Sequence, residues 1–218
     1  IPQGDLVIYF KIGSNVSDWS GWMVRSKDGG KTWSKREPLQ KDFLGPVKNK
    51  PVMSRGRLIA PSSIESNGWR LYFEYSDDMG KTWQRTDYVE ADSITIEGKK
   101  KLKDLAIQPS IISLKDGRLA ALARTRSEHI GITYSEDNGK TWSKLKLIDT
   151  PNNNSGLDAV TLSDGNHVLI CNDKPIPNGI KNGKGLRTPL SLMTSSDGES
   201  WQHWMTLEDS PISQYSYP

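Results

Sequence analysis

Three groups of residues in this chain have the types and spacing to do chemistry. Arg124 and Arg126 stand two apart, which puts them on one face of an extended strand. Guanidinium groups aimed at one point grip a carboxylate, because each donates two parallel hydrogen bonds to it. Lys48, Asn49 and Lys50 precede Pro51 in a polar stretch, and Asp158 and Glu65 sit where loops and strand-like runs meet. A carboxylate so placed can accept hydroxyl groups or transfer a proton. The plainer reading of each group is an ion pair, a solvated loop or a backbone cap.

The third group is a phrase that returns four times: Ser26-Lys-Asp28-Gly-Gly30-Lys-Thr32-Trp33, Ser76-Asp-Asp78-Met-Gly80-Lys-Thr82-Trp83, Ser135-Glu-Asp137-Asn-Gly139-Lys-Thr141-Trp142 and a looser Thr194-Ser-Ser196-Asp-Gly198-Glu-Ser200-Trp201. Aspartate with glycine also suits calcium. Calcium, however, needs oxygen ligands at several alternating positions, and three copies put Lys31, Lys81 or Lys140 in the loop. The phrase reads instead as a turn whose carboxylate accepts backbone N–H groups, whose glycine takes positive φ and whose tryptophan buries a large ring. The fourth copy departs from the pattern, with Ser196 where the aspartate belongs. His129, His167 and His203 lack metal-ligand spacing, so neither a metal site nor a cofactor is expected.

Tryptophan recurs at positions 33, 83, 142 and 201, spacings of 50, 59 and 59 residues. Each interval is one supersecondary unit that cannot bury its apolar face alone, so stacked units must share a core. The 218 residues suit a single domain, and 19 glycines with 12 prolines favour short strands and turns over a helical bundle. With 29 basic against 26 acidic residues, nothing argues for nucleic acid or an anionic membrane. The run Lys99-Lys100-Lys101-Leu-Lys103 reads as a solvated loop, and Cys171 as a small buried hydrophobe ending an apolar run. No signal peptide or membrane span is visible. A removed leader would leave no trace; a secreted or periplasmic setting is the expectation.

The positioning elements are strands. Apolar runs fall at residues 6–10 and 21–24, 58–60 and 69–73, then 110–114, 119–122 and 130–134, and finally 158–162, 168–171 and 190–193. Asp116-Gly117 and Asp164-Gly165 predict tight two-residue hairpin turns. Three strands, a tryptophan turn and a fourth strand make one antiparallel sheet, and sheets repeated at this period read as blades of a β-propeller. The blades are placed at about residues 1–45, 46–100, 101–150 and 151–212, with 213–218 opening a further strand. The chain starts at Ile1-Pro2 without an initiator methionine, and the whole reads as one truncated propeller domain.

The four phrases match the Asp box, and the chain resembles the sialidase superfamily across nearly its whole length, close to bacterial proteins named by these repeats. The resemblance implies an all-β, six-bladed propeller of sialidase type with about four blades present, and a site at the end opposite the boxes. It implies that Arg124 and Arg187 are members of an arginine triad that binds a carboxylate, and that Tyr217, or Tyr215, comes from the nucleophile segment. A neutral phenol suits attack beside a carboxylate. Gln108 stands where sialidases carry the glutamate that serves as base, and an amide takes up no proton at neutral pH. The triad's first arginine and the aspartate acid/base belong to a blade this chain lacks.

The expected function is an exo-acting glycoside hydrolase of sialidase type that removes a terminal acidic sugar from glycans. Tyr217 and Asp158 are its catalytic candidates; Arg124, Arg187, Arg126, Gln108, Lys48 and Lys50 are its substrate-binding candidates. The alternative is a non-catalytic carbohydrate-binding or interaction propeller. The partners are then an acidic glycan and missing blades from the same or another chain, with no nucleic acid and no membrane span.

Overall fold

The computed structural model describes residues 4–65, 68–96, 99–102, 106–175 and 187–218. Their regular structure is strand, apart from one 3₁₀ turn at Val16–Asp18. The first unit pairs β1 (Leu6–Ile12), β2 (Ser20–Ser26) and β3 (Glu37–Pro38) in that order. The second is a four-stranded sheet of β4 (Val52–Ser54), β5 (Arg57–Ile64), β6 (Arg70–Ser76) and β7 (Gln84–Arg85). A hairpin follows, β8 (Ser93–Ile96) with β9 (Lys99–Leu102). The third unit orders β10 (Ala106–Ser113), β11 (Leu119–Thr125), β12 (His129–Ser135) and β13 (Lys146–Pro151). The fourth orders β14 (Asp158–Thr161), β15 (His167–Cys171), β16 (Leu190–Ser195) and β17 (Gln202–Glu208).

Every apolar run singled out in the sequence overlaps a strand, and each sheet joins sequential neighbours antiparallel. Three local expectations are corrected. Lys99, Lys100 and Lys101 are not loop: they pair with Ile96, Thr95 and Ile94, whose β-branched side chains favour a strand; Lys103 lies outside the described residues. The Asp116-Gly117 and Asp164-Gly165 turns are three-residue loops, closed by Leu114 N to Arg118 O and Leu162 N to Asn166 O at 2.9 and 2.8 Å. Gly117 and Gly165, at φ +87° and +79°, supply the left-handed third residue such loops require. The two-residue turn is Arg55-Gly56 instead, with φ +45° and +80°. Residues 213–218, expected to open a strand, run as irregular chain tied by Tyr215 N to Arg187 O at 2.7 Å.

The phrases fold as turns between the last two strands of each sheet. In the third, Asp137 Oδ1 accepts Thr141 N at 2.9 Å, Oδ2 accepts Thr141 Oγ1 at 2.6 Å, and Ser135 Oγ accepts Gly139 N at 2.7 Å. Asp28 is held in the same way, chiefly by Thr32, and its acidity rises to a pKa of about 2. The carboxylates are thus occupied by protein donors. The fourth turn corrects the sequence alignment: Asp197, not Ser196, fills the aspartate's role, accepting Ser200 N at 2.8 Å. The first three turns carry two successive left-handed residues, such as Asn138 and Gly139; the fourth carries Gly198 alone. One residue has been dropped there, which shifts the match by one.

The core lies between sheets. Along β11, Leu119, Ala121 and Ala123 pack toward the second unit, while Ala120 and Leu122 pack toward the fourth, as the two-residue period of a strand requires. Both faces of such a sheet are buried, so each unit depends on its neighbours. The turn tryptophans reach backward to make these contacts. Trp142 stacks on Phe73 with centroids 3.7 Å apart, and Trp83 meets Tyr9 edge-on at 6.1 Å. Close approach explains the turn glycine too: a Cβ on Gly139 would lie 2.6 Å from Ile59 Cδ1. Trp33, in the first of the described sheets, is 39% exposed, against 4% for Trp83.

We expect Trp142→Ala to destabilise the chain by about 3–5 kcal/mol, since it empties a packed inter-sheet site. Trp33→Ala should cost far less. Urea midpoints of the two variants test the ranking, and equal losses would show that these rings do not hold neighbouring sheets together.

Candidate functional site

Antiparallel pairing sends the two ends of each strand to opposite rims, and the turns just described occupy one of them. The sequence candidates gather at the other. Arg124 lies near the end of β11, paired with Ile107 and Ile130 rather than with the turn side of the sheet. Gln108 interrupts β10 at a bulge, with Asp158 at the start of β14. Lys48 and Lys50 lie ahead of β4, Arg187 ahead of β16, and Tyr217 beyond β17.

The centre is an arginine–tyrosine cluster. Arg124 Nη1 donates to Tyr217 Oη at 3.1 Å, and the Arg124 and Arg187 guanidinium carbons stand 5.7 and 5.5 Å from the Tyr217 ring centre. Arg187 Nη1 also donates to Ser216 Oγ at 3.2 Å. Burial would raise the pKa of the Tyr217 phenol, yet the hydrogen bond and charge of Arg124, with Arg187 behind, bring it below the ordinary value. Gly156 admits the tyrosine, because a Cβ there would stand 3.2 Å from Tyr217 Cα.

Lysines close the cluster from the second sheet. Lys48 Nζ donates to Leu157 O at 2.7 Å and to Pro218 O at 3.1 Å. Burial, opposed by Asp158 and aided by Lys50 and Arg124, lowers its pKa to about 8. Lys50 Nζ pairs with Asp158 at 2.8 and 3.0 Å. Asp158 Oδ1 also accepts Ser110 Oγ at 2.6 Å. Although burial pushes its pKa up, Lys50 and Ser110 hold it below the usual carboxylate range. That setting suits an anchor for Lys50 and does not suit a group that must carry a proton at neutral pH. Lys48, Lys50, Arg124 and Arg187 outnumber the single carboxylate among them, so the rim carries net positive charge.

Sequence reasoning missed three supports. Trp69 is the platform for both strand arginines, with Arg124 and Arg126 guanidinium carbons 5.0 and 4.2 Å from its ring. Arg126 therefore stacks on Trp69 instead of joining Tyr217; in the sequence Trp69 looked like one more apolar strand residue. Asn172 Nδ2 ties Pro189 O at 2.7 Å and Tyr215 O at 3.0 Å, fixing the chain on either side of Arg187 and Tyr217. Glu74, fully buried on β6, accepts Leu44 N at 3.0 Å and Gly45 N at 2.6 Å and so holds the loop that leads to Lys48. Glu65 is exposed and joins none of these contacts.

The whole chain, residues 1–218, matches the model of the BNR repeat-like domain. The chain belongs to that family. It is 33% identical over 179 residues to the anhydrosialidase of Macrobdella decora, a match covering 74% of this chain and 22% of that protein. The solved intramolecular trans-sialidase from Ruminococcus gnavus superposes with a TM-score of 0.59 at 26% identity, covering 91% of this chain and 42% of that one. A structure of the NanB sialidase from Streptococcus pneumoniae superposes with a TM-score of 0.67 at 20% identity, covering 91% of this chain and 30% of that one, and speaks to the fold alone. The chain is a sialidase-like BNR repeat protein, all-β, with four blades of a sialidase-type propeller. It spans less than half the length of the curated relatives it matches, between 22% and 41%.

Burial raises Glu74 from 4.5 to about 7, against the pull of Leu44 N, Gly45 N, Lys11 and Arg85. The folded protein thus keeps a proton that the unfolded chain releases between these values, and the stability from this group is full below about pH 4.5 and lost as pH rises through 7. We expect the stability difference between wild type and Glu74→Gln to change by on the order of 2–3 kcal/mol between about pH 5 and 7.5. Subtracting the variant removes the opposing contribution of His167, whose pKa burial lowers. Parallel stability curves for the two proteins would rule this out.

Proposed function

We propose that this chain is the working part of an exo-acting glycoside hydrolase that removes a terminal acidic sugar. The observation that carries the reading is the convergence of Arg124 and Arg187 on Tyr217, 93 and 30 residues away in sequence. In this reading Arg124 and Arg187 hold the sugar carboxylate through paired N–H donors. Tyr217, neutral until it reacts, forms an Oη–C bond at the anomeric carbon beside that carboxylate as the glycosidic C–O bond breaks; the phenolic proton passes to solvent, the departing oxygen takes a proton from solvent, and water then releases the sugar from the tyrosine. Gln108 takes no proton, so the ionisation of Tyr217 rests on the two guanidinium groups, which favour the phenolate. Lys48 adds positive charge at the rim, Lys50 is oriented by Asp158, and Arg126 supports Arg124 through Trp69. The named activities of the relatives, sialidase and anhydrosialidase, agree with an acidic substrate.

A second reading, a carbohydrate-binding propeller without catalysis, is favoured by the amide at position 108 and by the commitment of Asp158 to Lys50. Glycan capture without sugar release would distinguish it.

In the full-length protein, Arg124→Ala and Arg187→Ala are each expected to lower kcat/KM on acidic glycosides about 100-fold or more, as loss of a charge-assisted contact implies. Tyr217→Phe should lower kcat by a similar factor with KM retained. Unchanged turnover of every acidic glycoside after both arginine substitutions would refute the assignment.

A further inference from the structure

Between β1 and the loop at residues 46–51 lies a cleft of about 460 Å³ whose walls include Tyr9, Lys11, Trp19, Lys48, Lys50 and Gln108. Lys48 is shared with the cluster around Tyr217, and Gln108 follows Ile107, the cross-strand partner of Arg124, so the cleft opens beside it. Gln108 is the informative member. Its backbone is fixed twice: the N–H donates to Ser63 Oγ at 3.1 Å, and the carbonyl accepts Asn49 Nδ2 at 2.9 Å. It is held at φ +57°, a left-handed conformation that a residue with a Cβ adopts at a cost of about 1–2 kcal/mol.

The side chain adds a second penalty. Gln108 is 9% exposed, and its Oε1 is buried without a hydrogen-bond partner. An acceptor left so costs about 1–3 kcal/mol. Strain and an unmet acceptor on one residue in a cleft wall are tolerated where the wall is prearranged for a ligand. The missing partner must be a donor. A carboxylate, which only accepts, cannot fill that role; a hydroxyl or amide N–H can. The half-buried ring of Trp19 and the Tyr9 ring in the same walls offer flat apolar surface to the carbon face of a sugar.

We propose that this cleft is a second subsite, which takes a neutral, hydroxyl-bearing unit of the glycan while the arginines take its carboxylate, and that Gln108 Oε1 accepts one of its hydroxyl groups. The subsite rests on the acidic-glycan reading above.

The test uses the full-length protein with 3′-sialyllactose and a glucuronic-acid-terminated disaccharide as probes, measuring Kd by calorimetry, sugar release by chromatography and Tm without ligand. Gln108→Met keeps the length and removes the acceptor. It should leave Tm unchanged or higher and weaken binding about 10- to 30-fold, the value of one buried hydrogen bond to a ligand. Gln108→Glu restores an acceptor and should recover Kd to within about threefold of wild type. A lower Tm with unchanged Kd in Gln108→Met would make the amide structural and overturn the subsite, as would equal losses of binding in both variants. Wild-type binding without sugar release, still weakened by Gln108→Met, would leave the subsite standing and refute the hydrolase.

Discussion

The constraint beneath everything here is that a blade in the middle of the chain is apolar on both faces. β11 shows it most plainly, since successive residues Leu119 to Ala123 enter two different cores and are each essentially sealed from water. A strand of this kind cannot keep one side wet, so every sheet needs a neighbour and the chain must stack. The turn phrase serves that demand from the outside: its ring and its glycine touch the sheet before it, so one local motif both closes a hairpin and joins two units. Among the described residues, the first and fourth sheets keep apolar side chains exposed. Leu6 and Ile8 on β1, and Trp204, Met205 and Leu207 on β17, turn to solvent.

The two rims of this stack are built by different rules. Along the turn rim, aspartate, serine and threonine side chains satisfy the backbone within eight residues or fewer, so each turn is its own small closed system. The opposite rim is assembled from pieces far apart in sequence. Lys48, Gln108, Asn154 and Tyr217 all sit at positive φ there, while Gln108 Oε1, Arg124 Nε, Asn154 Oδ1 and Asn172 Oδ1 are buried without partners.

This division explains what could be read from the chain beforehand. Strands and turns are local, so the repeated phrase and the alternation of apolar residues were enough to place them. The slips came where one residue changed the count, as at Asp197, or where glycine joined a loop one residue longer than its dipeptide implied, as at Gly117. The meeting of Arg124, Arg187 and Tyr217 was legible through family resemblance. Their supports were not. Trp69, Glu74 and Asn172 act through contacts made after folding, and nothing in their neighbourhoods sets them apart from ordinary strand and loop residues. Arg126 shared a face with Arg124 as the strand period demands, but the period says nothing about an indole waiting beneath it.

Lys48 makes one further point about how this molecule comes together. Its ammonium group reaches past the third blade to carbonyls of residues 157 and 218, a sequence separation of up to 170. Such a chord links units that are not adjacent in the stack, so the array is not a simple row of nearest neighbours. Closing it requires residues 157 and 218 to be in place, after the intervening blades have condensed. The rim that gathers Lys48, Arg124 and Tyr217 is therefore a late product of folding, and it registers whether the third and fourth blades have formed.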